Sequence, residues 1–238
     1  MKLVFWNGWA MQPGAFAPLA RELPDAAIQI PSLAAPAGEN LVEWAQRLGA
    51  DVSPDAVIVG WSLGAMLALA AVAQGARPRA LVLIGATAGF VASDAWPHGL
   101  EPAVVDGFRR GFGITPAKTM RRFLALQGLG DADHGAVLHT LANKMADPAD
   151  ASLAHGLAAL CETDLTGICA KIATVPTLLI HGSGDALMPP GAAQWLADTL
   201  PDAQLMMLPN RGHAPHVSDP ATVAAAIRAF ASRPTHAG

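Results

Sequence analysis

The stretch Ala56-Val57-Ile58-Val59-Gly60-Trp61-Ser62-Leu63-Gly64 decides the fold. Its first four residues are apolar and mostly β-branched, as in a buried strand, and residues 63–74 then follow the Ala/Leu spacing of a helix. Residues 56–73 carry no charge, and a run of this length reaches the minimum for a membrane-spanning helix. Glycine and serine interrupt the run in its middle, so a buried strand that turns into a buried helix is the better interpretation.

Further short apolar runs alternate with helical patterns along the chain. We predict strands at residues 2–6, 26–30, 56–59, 80–84, 177–181 and 204–208. Helical patterns lie near residues 14–23, 40–50, 63–74, 191–200 and 219–231. This alternation predicts an α/β fold, with about six parallel strands and helices on both faces of the sheet.

The alternation stops between Ile84 and Thr177, where helical patterns continue without a convincing strand. We therefore expect residues 1–85 and 171–238 to form the core and residues 86–170 to form an inserted helical cap. Pro102 and Pro116 are among the prolines that mark candidate helix starts or loop joints in this insertion.

Composition excludes several classes of protein. The 238 residues are 52% hydrophobic and 14% charged, with a net charge of −4, which argues against a disordered chain, a coiled coil and a charge-driven nucleic-acid binder. Cys161 and Cys169 belong to no disulfide or zinc motif. The first residues lack the pattern of a signal peptide. We expect a cytoplasmic protein that neither spans a membrane nor binds nucleic acid.

The motif Gly60-Trp61-Ser62-Leu63-Gly64 lies where the buried strand should turn into the helix. A serine in so sharp a turn is held above the edge of the sheet, and the flanking glycines let the backbone double back without side-chain collisions. The motif is weak by itself, because small residues are common, but the strand before it and the helix after it make Ser62 a candidate nucleophile.

A serine hydroxyl needs a base to take its proton and a carboxylate to orient that base. Asp185 and His213 each follow a predicted strand, and the order serine, aspartate, histidine along the chain is the one expected for an α/β-hydrolase. His216 is the rival base, but we expect it at the surface or lining the cap. A zinc site at His213 and His216 lacks a third ligand and a helix, since Pro215 lies between them.

An ester hydrolase also needs an oxyanion hole. We expect one donor to be the backbone N–H of Leu63, directly after the serine, and the other to be the backbone N–H of Trp9 in the loop after the first strand. The Trp9 side chain is free to pack in the core or a pocket at the same time. No metal and no cofactor are expected.

Several segments together resemble the pimeloyl-[acyl-carrier protein] methyl ester esterases of biotin synthesis. They are Asn7-Gly8-Trp9, the serine motif, Asp94-Ala95-Trp96-Pro97, Arg122-Phe123-Leu124-Ala125-Leu126-Gln127, residues 182–189 with Asp185, and Gly212-His213-Ala214-Pro215. The resemblance covers nearly the whole chain and implies that Phe123, Leu124, Ala125, Leu126 and Gln127 contact the acyl chain. The simpler alternative for these five residues is the core of a cap helix.

The resemblance also implies an acyl carrier protein as partner, which is small and acidic. Five basic residues fall within residues 109–122 without an acidic residue between them: Arg109, Arg110, Lys118, Arg121 and Arg122. Such a patch could steer an acidic carrier, although an ordinary solvated helix face is the alternative. We assign the carrier contact to Lys118, Arg121 and Arg122. The basic residues that the family carries around residues 135–139 are missing.

These observations predict a monomeric serine carboxylesterase that hydrolyses the methyl ester of pimeloyl-[acyl-carrier protein] in biotin synthesis. A free short-chain ester, a lactone or a carbon–carbon bond next to a ketone is an alternative substrate, because fold and triad do not distinguish them. A non-catalytic binding protein on the same scaffold is a third hypothesis, which the complete set of Ser62, Asp185 and His213 disfavours.

Overall fold

A six-stranded sheet forms the centre of the protein in a computed structural model that describes residues 1–169, 172 and 174–233. All neighbouring strands are parallel, and their spatial order is β2-β1-β3-β4-β5-β6. The strands are β1 (Lys2–Trp6), β2 (Ala27–Gln29), β3 (Ala56–Trp61), β4 (Ala80–Ile84), β5 (Thr177–Gly182) and β6 (Ala203–Leu208). The prediction of an α/β fold with six parallel strands is confirmed.

Helices connect the strands, and a short 3-10 turn at Pro13–Phe16 precedes the first of them. The helices around the sheet are α1 (Ala17–Arg21), α2 (Leu41–Ala50), α3 (Leu63–Ala73), α9 (Pro190–Thr199), α10 (Pro215–Ser218) and α11 (Pro220–Ala231). Those between β4 and β5 are α4 (Pro102–Ile114), α5 (Pro116–Gln127), α6 (His134–Ala142), α7 (Ser152–Glu162) and α8 (Thr166–Cys169).

The uncharged run of the sequence is the middle of the core. All residues of β3 are buried, and so is every residue of α3 except the last. A strand covered on both faces and a helix enclosed all round need apolar residues on every side, which explains why no charge interrupts the run. Across the part of the chain that the structure describes, no helix has both the length and the apolar character to cross a membrane.

The segment between β4 and β5 is helical, as expected. Pro102 and Pro116 begin α4 and α5, where a missing N–H costs no helical hydrogen bond. A backbone bridge between Gly89 and Asp164 joins the two ends of the insertion. The expected boundary at residues 170 and 171 lies outside the described residues, so the division into core and cap stays a prediction.

Candidate active site

Four loops meet at one edge of the sheet because every strand is parallel. The loops after β1, β3, β5 and β6 carry Trp9, Ser62, Asp185 and His213 respectively. In open parallel sheets this carboxyl edge is where ligands bind. The side chains selected from the sequence are therefore brought to a common edge by the topology alone.

Ser62 occupies a strained turn between β3 and α3. Its φ of 57° and ψ of −117° are rare for a residue with a side chain, and its N–H donates to the carbonyl of Ile84 at 2.9 Å. A Cβ atom on Gly64 would collide with the backbone of Trp6 at the end of β1. The close crossing of helix and strand therefore requires glycine at position 64.

Asp185 and His213 form a fully buried pair. Asp185 Oδ2 lies 2.7 Å from His213 Nδ1, and Asp185 Oδ1 accepts the N–H groups of Leu187 and Met188 at 2.9 Å each. Because an ionised carboxylate only accepts, the proton of a neutral His213 ring lies on Nδ1. The other ring nitrogen, Nε2, has no hydrogen-bond partner in the described part of the chain and is left as an acceptor.

The serine loop and the histidine loop are tied to each other. Trp61 precedes Ser62, and its indole Nε1–H donates to the carbonyl of His213 at 2.9 Å. The His213 ring lies over Gly85 at the end of β4, where a Cβ atom would come within 2.9 Å of the imidazole. These contacts hold the imidazole above the strand next to the one that carries Ser62.

The Asp185 carboxyl stays ionised although it is buried. Burial raises its pKa, but the charge that His213 carries when protonated, the hydrogen bond from its ring, the charge that His181 carries when protonated and the N–H of Met188 outweigh that effect and lower the pKa overall. A permanently negative group beside His213 stabilises the imidazolium that forms when the ring takes up a proton.

His181, near the end of β5, touches the same carboxylate. Its Nε2 lies 2.8 Å from the carbonyl of Met188 and 3.3 Å from Asp185 Oδ2. Both neighbours accept, so Nε2 carries the proton of the neutral ring. Burial lowers the pKa of His181 more than the nearby Asp185 charge raises it, which keeps the ring neutral.

The expectation that His216 lies at the surface or lines the cap is wrong. The residue is 0% exposed and packs between Trp61 and Phe16, with ring centroids 4.4 and 5.0 Å away. Neither ring nitrogen has a hydrogen-bond partner in the described structure. Burial, and secondarily the charge of His213, lowers the pKa of His216 to about 3.

In the described residues, no three histidine, cysteine or acidic side chains are grouped to hold a metal ion.

Replacing His216 with phenylalanine is expected to stabilise the protein, and more so in acid. Below about pH 6.5 the unfolded chain protonates His216 whereas the folded protein does not until about pH 3, so wild-type stability falls as the pH falls. His216→Phe removes this penalty, and the gain in unfolding free energy should be about 2 kcal/mol larger at pH 5 than at pH 8. Urea unfolding at the two pH values measures it.

The exposed His139 provides the control, because His139→Phe makes the same substitution at the surface and is measured at the same two pH values. An equal gain for His216→Phe at pH 5 and pH 8 would contradict the buried, neutral state of His216.

The two expected oxyanion donors lie beside the serine. The Cβ atom that Gly8 lacks would be 3.3 Å from Ser62 Cβ, which brings the loop after β1 against the serine turn. No hydrogen bond within the described residues uses the backbone N–H of Trp9 or of Leu63. The Trp9 side chain is occupied: its indole donates to the carbonyl of Leu153 at 2.9 Å.

A cavity of about 350 Å³ opens next to these two residues. Trp9 and Leu63 line it together with residues after β2 and residues of the helical insertion. None of the expected acyl contacts at residues 123–127 lines this cavity. Phe123 instead packs edge-on against Trp9, which lines the cavity, with ring centroids 5.0 Å apart.

The five expected acyl contacts do not share one face of α5. Phe123 and Gln127 are buried, and Leu124 and Leu126 are half-buried. Ala125 is exposed on the opposite side of the helix, because consecutive helical residues turn by about 100°. The arrangement of α5 therefore favours the other four residues over Ala125.

The basic residues form an exposed group on α4 and α5. Lys118, Arg121 and Arg122 are spaced as neighbours on one face of α5. None of these three forms an ion pair within the described ranges. Arg109, by contrast, is paired with Glu162 at 3.0 Å. The uncompensated positive charge is thus concentrated on α5.

A second buried carboxylate, Asp131, was not selected from the sequence. It lies between α5 and α6 and accepts the backbone N–H of Gly212, the residue before His213, at 3.0 Å. Nothing in the local pattern around Asp131 points to this contact, because its partner is 81 positions away in the chain.

A family model described as the alpha/beta hydrolase family matches residues 3–226. The chain belongs to the α/β-hydrolase family. Curated relatives match the chain over nearly their whole length. A pimeloyl-[acyl-carrier protein] methyl ester esterase of Aromatoleum aromaticum is 39% identical, and the match covers 94% of this chain and 96% of the relative. One of Stenotrophomonas maltophilia is 37% identical, with 96% and 92% covered. The chain therefore belongs to the family of these esterases.

Solved structures of other proteins have the same fold. An esterase from Exiguobacterium antarcticum superimposes with a TM-score of 0.80 at 16% identity, covering 98% of this chain and 92% of that one. A bromoperoxidase from Bacillus anthracis gives the same TM-score, identity and coverage. An esterase and a bromoperoxidase match equally well, so this likeness shows the fold of the α/β-hydrolase and leaves its substrate open.

Proposed function

We propose that this α/β-hydrolase is a serine carboxylesterase that cleaves the methyl ester of a pimeloyl chain held on acyl carrier protein, in biotin synthesis. The relatives named for that reaction support the choice of substrate, since they match at 33–39% identity over most of the chain. The observation that carries the chemistry is the buried Asp185–His213 hydrogen bond of 2.7 Å at the edge where Ser62 turns.

Acylation begins with attack of Ser62 Oγ on the ester carbonyl carbon. His213 Nε2 takes the serine proton as the Oγ–C bond forms, and Asp185 stabilises the resulting imidazolium. The carbon–methoxy bond then breaks, and His213 returns the proton to the leaving oxygen, so that methanol departs. The product is an ester between Ser62 and the acyl chain.

Deacylation repeats these steps with water. His213 Nε2 takes a proton from the water as its oxygen attacks the acyl carbon, and the proton then passes to Ser62 Oγ as the acyl–serine bond breaks. The free carboxylate leaves and the serine is restored. The backbone N–H groups of Trp9 and Leu63 stabilise the oxyanion of both tetrahedral intermediates.

The helical insertion, residues 86–170 in our division, acts as a cap over this site. Its contact with the oxyanion loop supports this role: Phe123 and Phe112 pack edge-on against Trp9, with ring centroids 5.0 and 5.4 Å away. The proposed acyl contacts on α5 are the buried Phe123 and Gln127 and the half-buried Leu124 and Leu126. Ala125 is retained only as a backbone contact, because its side chain is exposed.

The acyl carrier protein binds at the exposed face of α5 through Lys118, Arg121 and Arg122. The opposite face of the same helix packs toward Trp9 through Phe123. A carrier held on α5 would thus have its acyl arm beside the site, and complementary charge would speed the encounter between an acidic carrier and this cationic patch.

Reversing charge on α5 is expected to affect the carrier-bound ester selectively. For the double variant Arg121→Glu and Arg122→Glu, we expect kcat/KM for pimeloyl methyl ester on acyl carrier protein to fall by about 10- to 100-fold at low salt. The kcat/KM for p-nitrophenyl butyrate, which carries no protein, should stay within about twofold, because surface charges away from the site contribute little to it.

Arg21→Glu on α1 is the matched control, since it reverses an exposed charge away from the insertion. It should leave both substrates unaffected. If the double variant and the wild type have equal kcat/KM values for the carrier-bound ester, the proposal that the carrier docks on α5 is contradicted. Activity on the small ester alone, in the wild type, would instead favour a general short-chain esterase.

A further inference from the structure

Asp131 holds the loop that carries His213. Its Oδ2 accepts the N–H of Gly212 at 3.0 Å and the hydroxyl of Ser218 at 2.7 Å. Gly212 directly precedes His213, and Ser218 ends α10 just after it. One carboxylate oxygen therefore accepts hydrogen bonds from a residue before His213 and from a residue after it, and so holds the segment that carries the imidazole at both ends.

The rest of the carboxylate is also engaged. Asp131 Oδ1 accepts the N–H of Asp133 at 2.8 Å, and Arg211 Nη1 lies 3.5 Å away. Burial raises the pKa of Asp131, but the hydrogen bonds from Gly212, Ser218 and Asp133 and the charge of Arg211 outweigh it and lower the pKa. The side chain is fully buried and remains an ionised acceptor at neutral pH.

The α5–α6 loop (residues 128–133), which carries Asp131, also touches the aspartate loop. Gly130 packs directly against the backbone of Gly184, next to Asp185, and a Cβ atom on either glycine would collide with the other. The N–H of Ala132 donates to the carbonyl of Asn210 at 2.9 Å. This one loop of the insertion thus contacts both the acid loop and the base loop.

We infer that Asp131, which lies in the helical insertion, is a positioning residue. By accepting the N–H of Gly212 it fixes His213 relative to Asp185. The inference rests on the proposed roles of Ser62, Asp185 and His213. Because the α5–α6 loop follows Gln127 directly, it also joins the proposed acyl-binding helix to the acid and base loops. A shift of the imidazole by a fraction of an ångström is enough to slow proton transfer.

Asp131→Asn tests this inference with little change of volume. An amide offers only one oxygen, and its NH₂ group can donate to the Ser218 hydroxyl but not to the N–H of Asp133 or to Arg211. The asparagine oxygen is therefore expected to face Asp133 and Arg211, and the bond to the Gly212 N–H is lost. We expect kcat for p-nitrophenyl butyrate to fall by about tenfold or more with KM within about twofold. Labelling of Ser62 by a fluorophosphonate should slow in parallel.

A spectroscopic readout separates positioning from general destabilisation. The 2.7 Å hydrogen bond to Asp185 should shift the proton NMR resonance of His213 Nδ1–H downfield in the wild type, and we expect this resonance to move or broaden in Asp131→Asn. Asp133→Asn is the matched control, because it removes an exposed carboxylate from the same loop. The Asp133 carboxylate bonds Arg211 at 2.8 Å and makes no bond to Gly212. Asp133→Asn should retain kcat and the resonance.

The inference is overturned when folded Asp131→Asn keeps kcat, the labelling rate and the His213 resonance of the wild type, or when Asp133→Asn loses them equally. If Asp131→Asn does not fold, Asp131→Ser, which is smaller and keeps one oxygen acceptor, is measured in the same way with the same criteria. Failure of the wild-type protein to label at Ser62 would instead refute the proposed function.

Discussion

Ser62→Ala is expected to lower kcat for every ester substrate by about a million-fold, the loss seen when a serine nucleophile is removed from a triad hydrolase. Alanine removes the only atom that can bond to the acyl carbon, and His213 and the oxyanion donors then act on water alone. Position 62 needs φ near 57°, which alanine also tolerates poorly, so circular dichroism should establish that the variant is folded.

The exposed Ser53 supplies the control, because Ser53→Ala removes a hydroxyl that precedes β3, at the opposite end of this strand from the Ser62 turn. It should keep full activity. Measurable turnover by Ser62→Ala, above the rate left by the oxyanion hole, would contradict nucleophilic catalysis by this serine. Retention of fluorophosphonate labelling in Ser62→Ala would move the nucleophile to another residue.

Asp185→Asn is expected to lower kcat by about 10⁴-fold at neutral pH. The reason lies in the two N–H groups of Leu187 and Met188, which hold Oδ1 at 2.9 Å each. The amide oxygen of asparagine will remain on these donors, so its NH₂ group faces His213 Nδ1. That nitrogen must then accept, the ring proton moves to Nε2, and Nε2 no longer takes the proton of Ser62.

Steady-state kinetics with p-nitrophenyl butyrate measures this loss. Asp198→Asn on α9 is the control, because Asp198 is exposed and its side chain bonds only Gln194, at 3.0 Å, among the described residues. Activity of Asp185→Asn should recover at high pH, where hydroxide replaces the base. A loss of less than tenfold would mean that Asp185 does not orient the imidazole.

The fold was predictable because its signals are local. Each strand of the sheet is a short apolar run, and α3 is apolar on all sides because β3 and α3 together form the centre of the core. The ends of the strands were less predictable. β3 continues through Gly60 and Trp61, which suggested a turn, because these residues pair with Trp6 and Ile84 on the neighbouring strands.

The candidate site was predictable only where one loop carries its own signal. The serine turn and the residues after β5 and β6 have recognisable patterns, and the parallel sheet brings them to one edge. The burial of His216 and the contact between Asp131 and Gly212 depend on segments far apart in the chain. A single sequence contains no periodicity that reports such contacts. The exposure of Ala125 follows from helical geometry, but a motif of five consecutive residues does not show which of them share a face of the helix.

The most direct test of the proposed function is hydrolysis of pimeloyl methyl ester on acyl carrier protein by wild type and Ser62→Ala, with methanol and the free pimeloyl carboxylate as measured products. We predict that the wild type releases both in equal amounts, with kcat/KM well above that for p-nitrophenyl butyrate, and that Ser62→Ala releases neither. No release of pimeloyl carboxylate by a wild-type protein that hydrolyses p-nitrophenyl butyrate would contradict the proposed substrate.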